Sequence, residues 1–454
     1  MANELFEKVV ALAKRRGFAY PSSEIYGGLA NTWDFGPMGT LLKNNIRDSW
    51  WNKFVLSRDD MVGIDASIFL NPKVWEASGH VSSFTDALID CKNCRFRTRA
   101  DHLIEDNVKD IKVEGLPVEE LTKIIKENKI KCPKCGKIDW TEVRKFNLLF
   151  ETSIGIIEEG KEKVYLRGEI AQGIFVNFRN VLDTTRVRVP FGIAQQGKAF
   201  RNEITLGQFV HRTLEFDLME FEYFINPKDW EKIYESWKKE MWDWAHELGL
   251  NTENLRWREH EEFERSHYSK RTMDIEYKYP FGFKEMFGLA YRTDFDLKNH
   301  TEKSGRDLSY TDPVTGEKYI PHVIEPTFGL SRLVGVVLFD SYTEQDGRIY
   351  LKLDPKLAPY KAAVFPLLAN KEELVSKARE VYENLRKKHL IAWDDRGNIG
   401  KRYASQDEIG TPFCITIDFD SLKDNAVTVR DRDTAKQERI AIDKLVEYLK
   451  DKLR

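Results

Sequence analysis

Apolar residues recur at helical spacing twice near the start of the chain. Leu5, Phe6, Val9, Val10 and Leu12 predict an amphipathic helix over residues 2–16. After the Gly36-Pro37 break, Leu41, Leu42, Ile46, Trp50 and Phe54 predict a second. Met61 to Leu70 reads as a strand ending at Pro72, and 187–224 is strand-rich. Within that region, residues 200–224 read as two strands joined by a loop containing Gly207. Side chains alternate between strand faces, so Arg201 and Glu203 share one face of the first strand. Leu214, Phe216, Leu218, Glu220 and Glu222 share a face of the second. Trp230 to Leu248 predicts a helix in which Trp237, Met241, Trp242 and Trp244 pack inward, and Leu330 to Leu338 a short apolar one. Beyond a linker at Pro355 and Pro359 come strands at 362–365, 391–393, 413–419 and 426–430, a helix at 371–389 and a final helix. Strands alternating with helices predict a compact α/β module.

Composition bounds the partners. A hydrophobic share of 41% with 27 Phe, 17 Tyr and 11 Trp supports substantial cores, and 454 residues suggest about two or three domains. No apolar run approaches the roughly 18 residues of a membrane span, and the N-terminus lacks a signal-peptide apolar block, so no membrane role and a cytoplasmic location are expected. The net charge of −3 argues against a general nucleic-acid coat, DNA included. From Tyr360 onward Lys and Arg number 19 against 17 Asp and Glu, so charge alone suggests no RNA either.

Four of the five cysteines form two Cys-x-x-Cys pairs, Cys91/Cys94 and Cys132/Cys135, separated by 37 residues. Two such knuckles can supply the four sulfurs of a tetrahedral structural zinc site. Disulfides or a redox pair are the competing readings. The spacing predicts an inserted subdomain over residues 85–143. Cys414 reads as a buried strand residue.

The 200–224 segment brings a cation, an aromatic plane and carboxylates onto neighbouring strands, which suits a charged, flat ligand such as a nucleotide. An ordinary hairpin with surface ion pairs is the alternative. In Glu325-Pro-Thr-Phe-Gly-Leu-Ser-Arg332-Leu, Arg332 falls in the first turn of a helix, where a cation opposes the dipole unless an anion binds too.

These two stretches, Phe200 to Glu203 with Arg212 to Phe216 and Gly329 to Arg332, resemble motifs 2 and 3 of class II aminoacyl-tRNA synthetases. Trp33-Asp-Phe-Gly-Pro37, Asn71 to His80, Arg99 to Leu103, Gly168 to Gly173 and Glu325 to Gly329 narrow the resemblance to the single-chain, homodimeric glycyl-tRNA synthetase family. It runs over almost the whole chain. It implies an α+β catalytic domain, an antiparallel sheet with helices, over 1–84 and 144–353. The four-cysteine zinc-binding subdomain at 85–143 interrupts it, and a class IIa anticodon-binding α/β domain at 354–454 follows. The 41–54 helix and the 61–70 strand correspond to the family's dimer-forming motif 1, although packing within the monomer's own core is equally compatible.

The resemblance also implies the chemistry: glycine, ATP with magnesium, and tRNA(Gly) as partners, through glycyl-adenylate. Arg201 would meet the α-phosphate, Glu203 the adenine amine and Phe216 the adenine ring. Arg212 and Arg332 would bind the outer phosphates, with Arg332 over the other adenine face. Asn202, His211, Glu285, Met286 and Gly329 complete the expected ATP site. Glu169, Glu220 and Glu325 would hold the glycine ammonium, Thr327 would fill the space a larger side chain needs, and Phe216, Gly329 and Arg99 would lie against glycine, Arg99 at its carboxylate. Leu214, Thr327 and Ser331 depart from residues frequent in the family, which touches fine positioning. A synthetase-like binding protein without catalysis and a synthetase for serine, proline or threonine are the rivals. The surviving arginines oppose the first, and three acidic residues around a small pocket oppose the second.

Overall fold

The computed structural model describes residues 2–108, 111, 113, 115–156, 161–204 and 208–453; Gly207 lies outside the described residues. Its centre is a seven-stranded sheet in the order Leu255–Glu259, Arg271–Tyr279, Gly282–Thr293, His322–Gly329, Glu215–Ile225, Phe191–Phe200, Met61–Gly63. Every pair is antiparallel except the last. The expected 61–70 strand is short: Ile64 N–H still donates to the Ala194 carbonyl, and the chain then leaves the sheet edge.

Strand alternation sorts the two faces. Met219, Phe221 and Tyr223 point into a core built with the helices Pro37–Trp51, Trp230–Glu247 and Leu330–Ser341. Trp50, Phe54, Trp237, Trp244 and Phe328 meet there with ring centroids about 5–6 Å apart, Phe54 and Phe328 at 5.2 Å. Leu42, Ile46, Trp50 and Phe54 are thus buried inside the chain's own core. The opposite face is covered at one end, where Ala171, Ile174, Phe175 and Phe178 pack on Phe191, Ile193 and Phe224. Where that cover stops, a cavity opens.

The cysteine region forms its own small unit. Arg97–Arg99, Thr85–Asp90 and Arg144–Asn147 make a three-stranded antiparallel sheet over a core of Ile89, Leu103, Ile104, Leu121, Ile125 and Trp140. Pairing of Thr85 with Asn147 carries this sheet beyond residue 143. At the C-terminus a five-stranded sheet runs Ile391–Trp393, Ala362–Pro366, Phe413–Ile417, Ala426–Asp431, Gln437–Ala441. Its first three strands are parallel and the rest antiparallel. The helix Ile399–Ile409 and the strand Gln437–Ala441 escape the sequence pattern for a physical reason. The helix buries Arg402, Gln406 and Asp407 in place of apolar residues, and the strand is an edge whose first three residues are exposed. Arg16 on Glu408 and Arg348 on Asp407 tie this module to the rest. No helix among the described residues is long and apolar enough to cross a membrane.

Candidate active site

The cavity, about 260 Å³, is lined by side chains from four strands of the large sheet and from the loops at its end. Phe216, Leu218 and Glu220 reach it because even-numbered residues of Glu215–Ile225 face away from the helical core. The register pairs Leu218 with Gly329 and Glu220 with Thr327, and Gly288 and Ala290 with Thr327 and Glu325, so these positions converge.

One side is cationic. The Phe191–Phe200 strand ends before Arg201, so Arg201 and Glu203 line the cavity from a loop and not, as the alternation implies, from a strand face. That loop is pinned by the Arg201 N–H on the Leu214 carbonyl and the Asn202 N–H on the Leu148 carbonyl, both 2.9 Å. The Arg201 guanidinium sits 5.3 Å from the Phe216 ring centroid and 5.2 Å from that of Phe84, and its Nε donates to the Gly168 carbonyl at 3.0 Å. Arg212 lies 3.8 Å from Glu203. Arg332, in the first turn of Leu330–Ser341, is held by the Glu285 carboxylate at 2.9 Å and carbonyl at 3.0 Å. Burial pushes the Glu285 carboxyl up, but Arg332 and Arg201 more than offset it and leave it below the ordinary range. His211 is driven well below its ordinary value by burial and by the charges of Arg332 and Arg212, so it lines the cavity as a neutral ring.

The other side is acidic. Glu169, Glu220 and Glu325 line it, all nearly fully buried. Glu325 accepts from Arg292 at 2.8 Å, and Arg292 also makes two bonds to Asp296 at 2.8 and 3.0 Å and lies 3.6 Å from Glu169. Glu169 further accepts from Gln172 at 2.8 Å and faces His80 Nε2 at 3.3 Å. Burial raises Glu169, yet His80 and Arg292 bring it below the ordinary range. Burial pushes Glu325 up to about 7 against the pull of Arg292. Glu220 goes well above the ordinary value through burial and the neighbouring Glu325 and Glu169, and Thr327 Oγ1 donates to it at 3.2 Å. The niche is small and rich in carboxylates, so it suits a compact cation.

Of the expected residues, Arg201, Glu203, His211, Arg212, Phe216, Glu285, Gly329 and Arg332, with Glu169, Glu220, Glu325 and Thr327, all line this one cavity. Three do not. Met286 is fully buried in the hydrophobic core, on the other face of its strand. Asn202 is outside the lining and holds the loop through its backbone. Arg99 lies in the cysteine unit, bridged to Asp86 at 3.2 Å and to Asp101, away from the acidic niche. Sequence reasoning overlooks Arg292, His80, Gln172, His260 and Asp274. Arg292 carries a signal, a charge directly after the apolar run Phe287 to Tyr291, and His80 and Gln172 stand in the segments that carry the resemblance; His260 and Asp274 reach their places only through the fold.

The cysteines meet at the edge of the small unit, all free thiols. Cys91 Sγ is 3.6 Å from Cys135 Sγ, and Cys94 Sγ is 3.6 Å from Cys132 Sγ. The two loops are built alike. The carbonyls of Cys91 and Cys132 accept the N–H of Arg95 and Gly136 at 2.9 and 2.8 Å, with φ of 58° and 71° at those residues. A zinc–sulfur bond of about 2.3 Å gives tetrahedral edges of roughly 3.8 Å, so this donor set fits the ion.

The C-terminal module, residues 361–452, matches the family profile "Anticodon binding domain", and residues 114–148 match "Glycyl-tRNA synthetase insertion domain 1". A protein of Caldanaerobacter subterraneus subsp. tengcongensis named glycine–tRNA ligase is 54% identical over 99% of this chain and 98% of its own. Proteins of that name from Alkaliphilus oremlandii and Acetivibrio thermocellus are each 52% identical, over 100% and 98% of both chains respectively. The chain belongs to the glycine–tRNA ligase family.

Proposed function

We infer that this protein attaches glycine to tRNA(Gly). The glycine carboxylate attacks the α-phosphorus of ATP, giving glycyl-adenylate and pyrophosphate, and the glycyl group then passes to the terminal adenosine of the tRNA. One observation carries the reading: guanidinium groups and an aromatic ring on one side of a single cavity, a carboxylate niche on the other. Two anions must meet, so positioning and charge neutralisation supply most of the catalysis. ATP enters as its magnesium complex. Phe216 carries the adenine ring and Glu203 orients its amine. Arg201 faces the α-phosphate and the charge that develops there, while Arg212 and Arg332 take the outer phosphates. His211, a neutral neighbour of both arginines, leaves their charge for the substrate. Glu169, Glu220 and Glu325 hold the glycine ammonium. Each such charge-assisted bond is worth roughly 1.5–3 kcal/mol. Thr327, across from Glu220, leaves no room for a side chain.

Cys91, Cys94, Cys132 and Cys135 would hold zinc, which would supply folding energy to the inserted unit. The protein works in the cytoplasm as a homodimer; Ile25, Tyr26 and Leu29 form an apolar tip that its own core leaves exposed. The C-terminal module receives the anticodon. Incubation with tRNA, ATP, magnesium and labelled glycine, alanine or serine tests the reading. Glycine alone becomes esterified to tRNA if it is correct; equal charging with serine or alanine refutes it.

A further inference from the structure

Beneath the acidic niche lies another buried carboxyl group, that of Glu222. It follows Glu220 on the same strand face, and the register that pairs Tyr223 with Ile324 sets it opposite Glu325. It is fully buried and neither of its oxygens has a hydrogen-bond partner. Glu220 Oε1 and both amide atoms of Gln195, which pairs with Glu220 across the neighbouring strand, are in the same condition. Carboxylate oxygens of Glu220, Glu222 and Glu325 lie within 4.8 Å of one another. Unpaired buried polar atoms are rare, and so many on adjacent side chains need a common explanation.

Ionisation of Glu222 does not provide one. The nearby cation, Arg292, donates to Asp296 and Glu325. Glu220 on its own strand, Glu325 on the next, Asp296 on the adjoining helix and Glu169 add only negative charge, and the neutral His300 is engaged by Gln172. A buried carboxylate without donors or a partner cation is strongly disfavoured. Burial raises Glu222 well above the ordinary carboxyl range, with Glu325 adding to the shift.

We propose that Glu222 serves as a neutral carboxylic acid whose hydroxyl donates to the free oxygen of Glu220, positioning that carboxylate for the glycine ammonium. Thr327 already donates to the other Glu220 oxygen. Glu220 is then fixed from both sides, and the two donors favour its ionised form against the burial and the neighbouring carboxyls that raise it. Glu222 is therefore a positioning residue, and this role rests on glycine being the substrate of the niche.

Two replacements and a pH series test the proposal. Glu222→Leu removes the donor and should raise KM for glycine in pyrophosphate exchange roughly tenfold, with kcat far less affected. Glu222→Gln keeps an N–H donor in the same place and should recover most of that loss. A carboxyl raised in the folded state binds a proton that the unfolded chain has released, so the wild type loses stability as pH rises above about 4.3. The melting temperature of E222Q should therefore gain on that of the wild type between about pH 5 and pH 8. E222Q as damaging as E222L, an unaltered KM in E222L, or a stability difference independent of pH would each overturn the proposal. If the wild type used alanine as well as glycine, the substrate reading would fail instead, whatever the variants did.

Discussion

A guanidinium can grip phosphate only if its neighbours leave its charge available and its position fixed. Arg332 has its position fixed by Glu285, which takes its Nη1 by carboxylate and carbonyl from the cavity wall. Arg201 is fixed more lightly, by one carbonyl and two rings, which leaves most of its donors for substrate. Phe216 is half-buried beside it with its ring in the cavity. Base stacking on an aromatic ring is worth about 1–3 kcal/mol, so Phe216→Leu should raise KM for ATP roughly tenfold or more and leave KM for glycine much less changed. Steady-state kinetics on both substrates would check this, and equal shifts in both would contradict it. The acidic niche makes a second prediction. The ammonium needs ionised partners, yet burial holds Glu325 protonated up to about pH 7. KM for glycine should thus fall as pH rises from about 6 to 8, as Glu325 sheds its proton, and a flat or rising profile would count against the niche as the ammonium site.

At the scale of elements, what could be read in advance was what periodicity records. The 215–225 strand was legible because strict alternation separates Met219 and Phe221 from Phe216, Leu218 and Glu220. The end of its partner strand at Phe200 was not, because Arg201 to Glu203 continue the alternation while their backbone, after a last bond from the Arg201 N–H to the Leu214 carbonyl, turns to Leu148. The Ile399–Ile409 helix stayed hidden because Arg402 fills its buried face by donating to the carbonyls of Pro366, Asp395, Arg396 and Gly397, an arrangement no hydrophobic pattern encodes. The cysteine knuckles were legible from spacing alone, and they carry a prediction. Purified without chelator, the protein should hold about one zinc per chain, whereas Cys135→Ser should lose most of it and become open to protease between residues 85 and 147. Metal analysis with limited proteolysis would decide, and full zinc content in the variant would exclude the site.

Across the whole molecule, two bodies of different construction must act on one tRNA, and charged side chains buried between them set their relation. Asp407 takes Arg430 in two bonds at 2.8 and 3.0 Å and Arg348 at 3.0 Å, linking the C-terminal sheet to the catalytic body. Asp407→Asn should leave glycine-dependent pyrophosphate exchange within about twofold of the wild type and reduce tRNA charging roughly tenfold, because the loss of a buried ion pair disturbs one module and not the cavity. Parallel exchange and charging assays would check it; equal losses in both would contradict it. The site itself was legible only as pieces. The residues that touch substrate stand in short motifs, but Arg292, Asp296, His80 and Gln172, which order the carboxylates, are scattered between residues 80 and 296 and meet only in the folded chain. The most direct measurement is exchange of labelled pyrophosphate into ATP with magnesium and one amino acid at a time. Exchange that requires glycine and vanishes in Arg201→Ala is the predicted result, and exchange of equal size with alanine or serine, or undiminished in that variant, would contradict the assignment.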